Sequence, residues 1–155
     1  MSTSDNTSDK LNTHEAYMFK CIELALRAKA QGESPVGSII VQGTEIIGQG
    51  IESNKMHNDV TFHAEIEAIR RATENLKSQD LSSCIMYTTH EPCIMCSYVI
   101  RQTKIKAVVI GLTNKEVGGL SSKYALLADS SIAKWDKSPT IITGILEEEC
   151  RKLAN

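Results

Sequence analysis

Two short segments of the chain contain residue types that commonly bind metal ions. The first, FHAEIEAIRRA, places His63 and Glu65 two residues apart at the start of a helical pattern. The second, HEPCIMCSYVI, places Cys93 and Cys96 three residues apart, directly after a proline. Proline is well tolerated in the first turn of a helix, so we expect both thiols on one face of a helix that begins there. The partial positive charge of a helix N-terminus favours the thiolate, which is the form that binds zinc.

This cysteine pair fits three kinds of site, which the other residues help to separate. A thioredoxin-like redox site has no need for His63 or Glu65. A structural zinc site needs four protein ligands, whereas the chain offers Cys93, Cys96 and one suitable histidine, without a second CxxC. Three protein ligands leave one coordination position open, where a water molecule loses a proton near neutral pH and becomes a nucleophile.

Glu65 is the residue that would move protons at such a catalytic site. A carboxylate beside a metal can take a proton from water and deliver it to a leaving group. Two residues of regular helix rotate side chains apart by about 200°, so periodicity alone does not direct His63 and Glu65 toward one ion. The pattern H-x-E followed by P-C-x-x-C is nevertheless typical of zinc-dependent nucleobase deaminases, in which the glutamate is the acid/base and not a ligand.

The chain resembles the cytidine/deoxycytidylate deaminase superfamily. The resemblance rests on HAE at residues 63–65 and PCIMC at residues 92–96. Within the superfamily, PVGSIIV, Asn54, EPCIMC and GILEEEC resemble the branch of tRNA wobble-adenosine deaminases, guanine deaminases and fungal-type cytosine deaminases. The likeness extends over roughly residues 14 to 153. It implies a three-layer α-β-α fold with a mixed five-stranded sheet and helices on both faces.

The resemblance also implies roles for individual residues. It assigns one zinc ion per chain to His63, Cys93 and Cys96, with Glu65 as the proton shuttle.

Four further residues are predicted to contact the substrate. Asn54 matches a position where the family uses an amide to hydrogen-bond the substrate, and the Ala64 backbone N–H would lie beside the metal-bound oxygen. Phe62 places a bulky aromatic ring where this branch commonly has alanine, and such a ring could stack on a planar base. His90 directly precedes the metal-binding segment, so we include it as a pocket-lining residue.

The substrate predicted first is a free nucleobase or nucleoside, guanine-like or cytosine-like, from which an exocyclic amino group is removed as ammonia. The net charge of −2, the chain end at CRKLAN and the aromatic Phe62 favour this over a nucleic acid. The alternative is a tRNA-specific adenosine deaminase that converts wobble adenosine to inosine. Five basic residues against one acid between residues 101 and 123 could be the local patch that an RNA substrate requires, or a solvated face. A structural zinc-binding module is the non-enzymatic alternative.

The elements that position these residues follow from hydrophobic patterning. We predict the order α-β-β-α-β-α-β-α-β-α, with a first helix from Thr13 and a short helix around Tyr124 to Ala128. The apolar run KAVVIGL predicts a central strand that is covered on both faces. Residues 1–12 read as a disordered polar tail, and residues 13–155 as a single zinc-dependent deaminase domain.

Composition indicates in which compartment we expect the protein. No apolar run approaches the roughly 20 residues of a membrane span, and the first residues lack the features of a signal peptide. Five cysteines without an export signal make a disulfide framework improbable and favour the cytoplasm. By fold-level analogy, we expect a homo-oligomer, a dimer first.

Overall fold

Five strands form one mixed sheet in the order β2-β1-β3-β4-β5. The structure, a computed structural model, describes the backbone of residues 3–135 and 137–155 and the side chains of residues 13–135 and 137–155. The strands are β1 (Gly37–Gln42), β2 (Glu45–Ile51), β3 (Cys84–His90), β4 (Ala107–Leu112) and β5 (Thr140–Ile142). β1 runs antiparallel to β2 and β3, whereas β3, β4 and β5 are parallel. The predicted mixed five-stranded sheet is confirmed.

Helices cover both faces of this sheet. They are α1 (Thr3–Ala30), α2 (Asn54–His57), α3 (Ala64–Leu76), α4 (Ile94–Gln102) and α5 (Glu147–Lys152). Neighbouring strand residues point to opposite faces, so Ile39 packs in a core with α1 and α5, whereas Ile40 packs in a core with α3 and α4. β4 lies between β3 and β5 with five of its six residues buried, as its apolar sequence predicts.

The first helix is longer than predicted. It begins ahead of Thr13, the predicted cap, and no proline or glycine interrupts its sequence. The structure therefore gives residues 3–12 of the predicted disordered tail a helical backbone, while Met1 and Ser2 lie outside the described residues.

The predicted helix around Tyr124 to Ala128 does not form, and the segment is a series of turns. The backbone N–H of Leu127 donates to the distant carbonyl of Gly119 at 2.8 Å, where a helix would use the carbonyl four residues earlier. The buried guanidinium of Arg101, on α4, donates to the carbonyl oxygens of Leu126 and Leu127 and holds these turns in place.

Two glycines of β2 bring α3 into direct backbone contact with the sheet. A Cβ atom added to Gly50 would lie 2.3 Å from the carbonyl oxygen of Ala64, and one added to Gly48 would lie 2.3 Å from that of Ala68. Only glycine permits this approach. The start of α3 is consequently held at a fixed distance from the end of β2. Among the described residues, no helix combines the length and apolar character needed to cross a bilayer.

Candidate active site

Three predicted ligands meet at the starts of two helices. His63 is the N-cap of α3 and Cys93 is the N-cap of α4, and both have extended backbone. The Nδ1 atom of His63 lies 3.5 Å from the sulfur of Cys93 and 3.5 Å from the sulfur of Cys96. In a tetrahedral site with Zn–S bonds of about 2.3 Å and a Zn–N bond of about 2.0–2.1 Å, nitrogen and sulfur are about 3.5 Å apart. The three side chains therefore fit one zinc ion.

The cap position explains how residues two apart in sequence reach one site. Because His63 precedes the first helical residue, its side chain does not follow the rotation of about 100° per residue that governs α3 itself. Glu65 lies inside the helix and is only 4% exposed. One of its carboxyl oxygens is 3.6 Å from the sulfur of Cys96.

The ligand atoms strongly perturb one another's protonation. A hydrogen bond from Cys96, with a further one from His63, lowers the pKa of Cys93 to about 4. The hydrogen bond with Cys93 raises the pKa of His63 to about 9. The hydrogen bond with Cys93, followed by burial, raises the pKa of Cys96. Without metal, the site thus holds a thiolate beside an imidazolium and a protonated thiol, and a metal ion must displace two protons to bind all three.

Glu65 has the environment of an acid/base group. Burial raises the pKa of its carboxyl, which favours holding a proton. The hydroxyl of Thr88 on β3 donates a hydrogen bond of 2.8 Å to Oε1 of Glu65. The carboxyl is therefore fixed by one oxygen, while the other lies beside the ligand set.

Sequence analysis missed a second buried carboxyl, Glu52, which follows β2. It is 7% exposed, and its Oε1 atom lies 4.0 Å from Nε2 of His63, the nitrogen that faces away from the sulfurs. Burial raises the pKa of Glu52 to about 7. Metal-binding histidines usually direct their second nitrogen to a carboxylate, which fixes the ring orientation. The only sequence signal was an acid at the end of a strand close to Asn54.

Two predicted substrate contacts lie near Glu52. Asn54 is the first residue of α2, and its amide donates a hydrogen bond of 3.1 Å to Oε1 of Glu52. Ala64 is the first residue of α3 and is fully buried, and its backbone N–H also hydrogen-bonds the Glu52 carboxyl, which limits the rise of that pKa. Both donors are thus gathered around one carboxyl beside His63.

The other two predicted contacts have partners within the chain. The Phe62 ring stacks on His57 with centroids 3.8 Å apart and planes at 10°, and the Arg70 guanidinium carbon lies 4.8 Å from the Phe62 centroid. His90 ends β3, with Nδ1 2.8 Å from the hydroxyl of Thr89, and burial lowers its pKa. The structure thus assigns Phe62 to the packing of the segment before His63, and base stacking by this ring stays a prediction.

Comparison with known families decides which kind of metal site this is. The protein-family model described as the cytidine and deoxycytidylate deaminase zinc-binding region matches residues 11–112. The chain belongs to this deaminase family. The predictions of a zinc cofactor and of a zinc-dependent hydrolytic deaminase are thereby confirmed.

Several proteins of known family align with most of this chain. A tRNA-specific adenosine deaminase of Aquifex aeolicus (strain VF5) is 36% identical over 145 residues, which is 91% of this chain and 96% of the relative. One from Haemophilus influenzae is 35% identical over 137 residues, 88% of this chain and 78% of the relative. A solved structure from a study of A-to-I editing by tRNA:A34 deaminases has a TM-score of 0.81 at 27% identity and covers 89% of this chain and 99% of its own. Guanine deaminase from Bacillus subtilis has a TM-score of 0.63 at 37% identity, over 64% of each chain.

A buried carboxylate holds the next loop of the deaminase against Cys93. Glu91, 4% exposed, accepts hydrogen bonds from the backbone N–H groups of Asn114, Leu120 and Ser121 and from the Ser121 hydroxyl. The backbone N–H of Gly119 donates to the carbonyl of Pro92 at 2.8 Å. The loop is therefore attached to both residues that directly precede Cys93.

Arg101 is buried, so one of the five basic residues between 101 and 123 cannot belong to an exposed basic patch. Its side chain is 2% exposed, and its guanidinium donates to backbone carbonyls of Leu126, Leu127, Asp129 and Trp135. Lys104 and Lys106 lie before β4, whereas Cys93 follows the opposite end of the neighbouring parallel strand β3. The five basic residues between 101 and 123 thus do not form one exposed patch beside the zinc ligands.

Proposed function

We propose that this deaminase converts the wobble adenosine of tRNA to inosine. The observation that carries the proposal is the similarity, over 91% of this chain and 96% of the relative, to a tRNA-specific adenosine deaminase. The sequence analysis ranked this substrate second, behind a free base or nucleoside. The relatives favour the alternative. Phe62, one of the three reasons for the original order, stacks on His57 and lies beside Arg70.

The chain's own residues have distinct duties in this proposal. His63, Cys93 and Cys96 would hold zinc, which supplies a water of lowered pKa as the nucleophile when bound. Glu65 accepts a proton from the attacking water and delivers it to the exocyclic nitrogen of adenosine. A C–O bond forms, the C–N bond breaks, and ammonia leaves. The hydroxyl of Thr88 holds one oxygen of Glu65, so that the other can transfer the proton.

Substrate contacts are proposed around the same carboxyl cluster. The Asn54 amide and the Ala64 backbone N–H, both already gathered at Glu52, are suited to reading the edge of a base. We keep His90 as a pocket-lining residue because it ends β3 next to the segment that carries Cys93.

We also propose a homodimer in the cytoplasm. Four large side chains on α4 and on the loop after β4 are more than a third exposed: Ile94, Tyr98, Val117 and Tyr124. Exposed apolar side chains of this size support a subunit contact. All five cysteines are free, which fits a reducing compartment. A monomer in sedimentation at nanomolar concentration that retained full activity would refute the dimer.

The decisive experiment compares substrates under one set of conditions. Zinc-loaded enzyme is incubated with an anticodon stem-loop that contains wobble adenosine, a matched stem-loop with wobble guanosine, and free guanine, cytosine and adenosine. We expect inosine in the first RNA and no ammonia from the other substrates, with Glu65→Gln as the inactive control. Guanine deamination without any inosine formation would instead establish the second candidate, a guanine deaminase, which the similarity to the B. subtilis enzyme favours.

A further inference from the structure

A groove of about 700 Å³ lies along the outer edge of β2, outside the zinc site. We call it the edge groove. Its floor is formed by residues 46–51 of β2, and its walls are α1 and α3. The polar side chains that line these two walls are Lys20, Arg27, Gln31, Glu67, Arg71 and Asn75.

The edge groove carries an excess of unpaired positive charge. Its carboxylate, Glu67, is already in an ion pair with Arg70. Lys20 lies 3.7 Å from Glu23 in an exposed pair, which holds it weakly. Arg27 and Arg71 have neither an ion pair nor a side-chain hydrogen bond with any described residue. Two guanidinium groups on facing walls, without a carboxylate of their own, are suited to binding the oxygens of phosphate.

The edge groove leads to the segment that carries the proposed substrate contacts. One end is lined by Ser53, Met56 and His57, which flank Asn54. At the other end, the Asn75 amide donates to the carbonyl of Ile47. β2 has seven residues, so its edge is roughly 20 Å long. A chain of phosphates next to the target base therefore has a continuous path along this edge.

An added peptide strand fits the same edge less well. The side-chain amide of Asn75 already donates a hydrogen bond to the carbonyl of Ile47. A new strand would need that carbonyl as an acceptor. The pairing of β1 with β2 is also irregular between Ile40 and Val41, and such irregularities twist an edge away from strand addition. The occupant that the charges favour is a polyanion.

We propose that the edge groove binds phosphates of the RNA strand adjacent to the target nucleotide, through Arg27 and Arg71. This inference rests on the proposed function. It places part of the RNA-binding surface on α1 and α3, away from the lysines between residues 104 and 123 that the sequence pointed to.

The salt dependence of RNA binding tests the proposal. Binding of a labelled anticodon stem-loop is measured by fluorescence anisotropy between 50 and 200 mM KCl, for zinc-loaded wild type, Arg27→Gln, Arg71→Gln and the double variant. Each phosphate contact contributes about 0.7–0.9 to the slope of log Kd against log salt, or about a threefold affinity loss across this range. We expect each substitution to lower the slope by about that amount and the double substitution by about 1.5. KM for inosine formation should rise, with kcat at saturating RNA unchanged.

Matched variants distinguish a phosphate contact in the edge groove from a general effect of the protein's net charge. Lys106→Gln removes the same charge from an exposed position before β4, and its slope should equal that of the wild type. Arg27→Lys and Arg71→Lys keep the charge and should keep the slope. Because Arg27 and Arg71 are both exposed, the single variants should fold, which thermal melts monitored by circular dichroism verify.

The outcomes also separate this inference from the proposed function. If the wild type forms inosine and the double variant retains the slope of Lys106→Gln, the groove proposal alone is overturned. If the wild type neither binds the stem-loop nor forms inosine, the proposed function and the groove proposal fail together.

Discussion

Replacing Glu91 with glutamine should loosen the loop that lies against Cys93. The carboxylate accepts four hydrogen bonds, with Oε1 taking those from the Asn114 N–H and the Ser121 hydroxyl, and Oε2 those from the N–H groups of Leu120 and Ser121. In glutamine, an NH₂ group must replace one oxygen. The less costly orientation places it at the Oε1 position, where the Ser121 hydroxyl can rotate to accept and only the Asn114 N–H loses its acceptor.

The energetic cost follows from these bonds. An unsatisfied donor costs about 1–3 kcal/mol, and each of the two bonds that remain loses about 1 kcal/mol when its acceptor is no longer charged. Since Asn114 is exposed to water, the lower part of the range applies to its N–H, and we expect about 3 kcal/mol in total. With a urea m-value of about 2 kcal/mol per molar, the unfolding midpoint should fall by about 1.5 M.

The assay is urea unfolding at a fixed excess of zinc, followed by circular dichroism. Zinc must be held constant because a ligand that binds the folded state raises its apparent stability. Glu116→Gln is the matched control, since it removes the same charge from an exposed position in the same loop and should change the midpoint little. Equal midpoints for the two variants would refute the argument that Glu91 holds the loop.

Three further predictions concern the zinc site. Glu65→Gln should retain about one zinc per chain while kcat falls at least about 100-fold, and a variant with unchanged kcat would exclude Glu65 as the proton carrier. Glu52→Ala should weaken zinc affinity about 10- to 100-fold in chelator competition, because His63 loses the carboxyl near its Nε2; unchanged affinity would contradict this. Metal-free protein should release about two protons per zinc near pH 7, since the pKa of His63 is raised to about 9 and that of Cys96 is raised as well. Zinc affinity should therefore increase with pH, and above pH 9 only about one proton should be released. Calorimetry in buffers of different ionisation heat measures the number of protons released. Zinc binding without proton release would refute this prediction.

The parts of the site that the sequence predicted are those with local signals. Cys93 and Cys96 are recognisable because a proline directly precedes the N-cap of their helix, and β4 because its run of apolar residues has only one reasonable place in a sheet. The joint approach of His63 and Glu65 was not derivable from helical periodicity, since it depends on the extended backbone of the cap residue.

Other features depend on contacts between distant segments. Glu52 becomes part of the site because β2 packs on α3, and an acid at the end of a strand does not by itself indicate that contact. The turns at residues 124–128 replace the predicted helix because the Leu127 N–H binds the carbonyl of Gly119 and Arg101 binds the carbonyls of Leu126 and Leu127. Local propensity does not include such bonds to other segments of the chain.

The contact between Gly50 and the carbonyl oxygen of Ala64 has a consequence for the tolerances of the metal centre. A methyl group at Gly50 would start 2.3 Å from that oxygen, whereas ordinary contact begins at 3.4 Å, so strand and helix would have to separate by about 1 Å. Ala64 directly follows the ligand His63, and zinc–ligand distances vary by only about 0.2 Å. The absence of a side chain at Gly50 thus keeps His63 within the range of distances that zinc binding allows. A directed-evolution library aimed at new substrates should therefore leave this position unvaried.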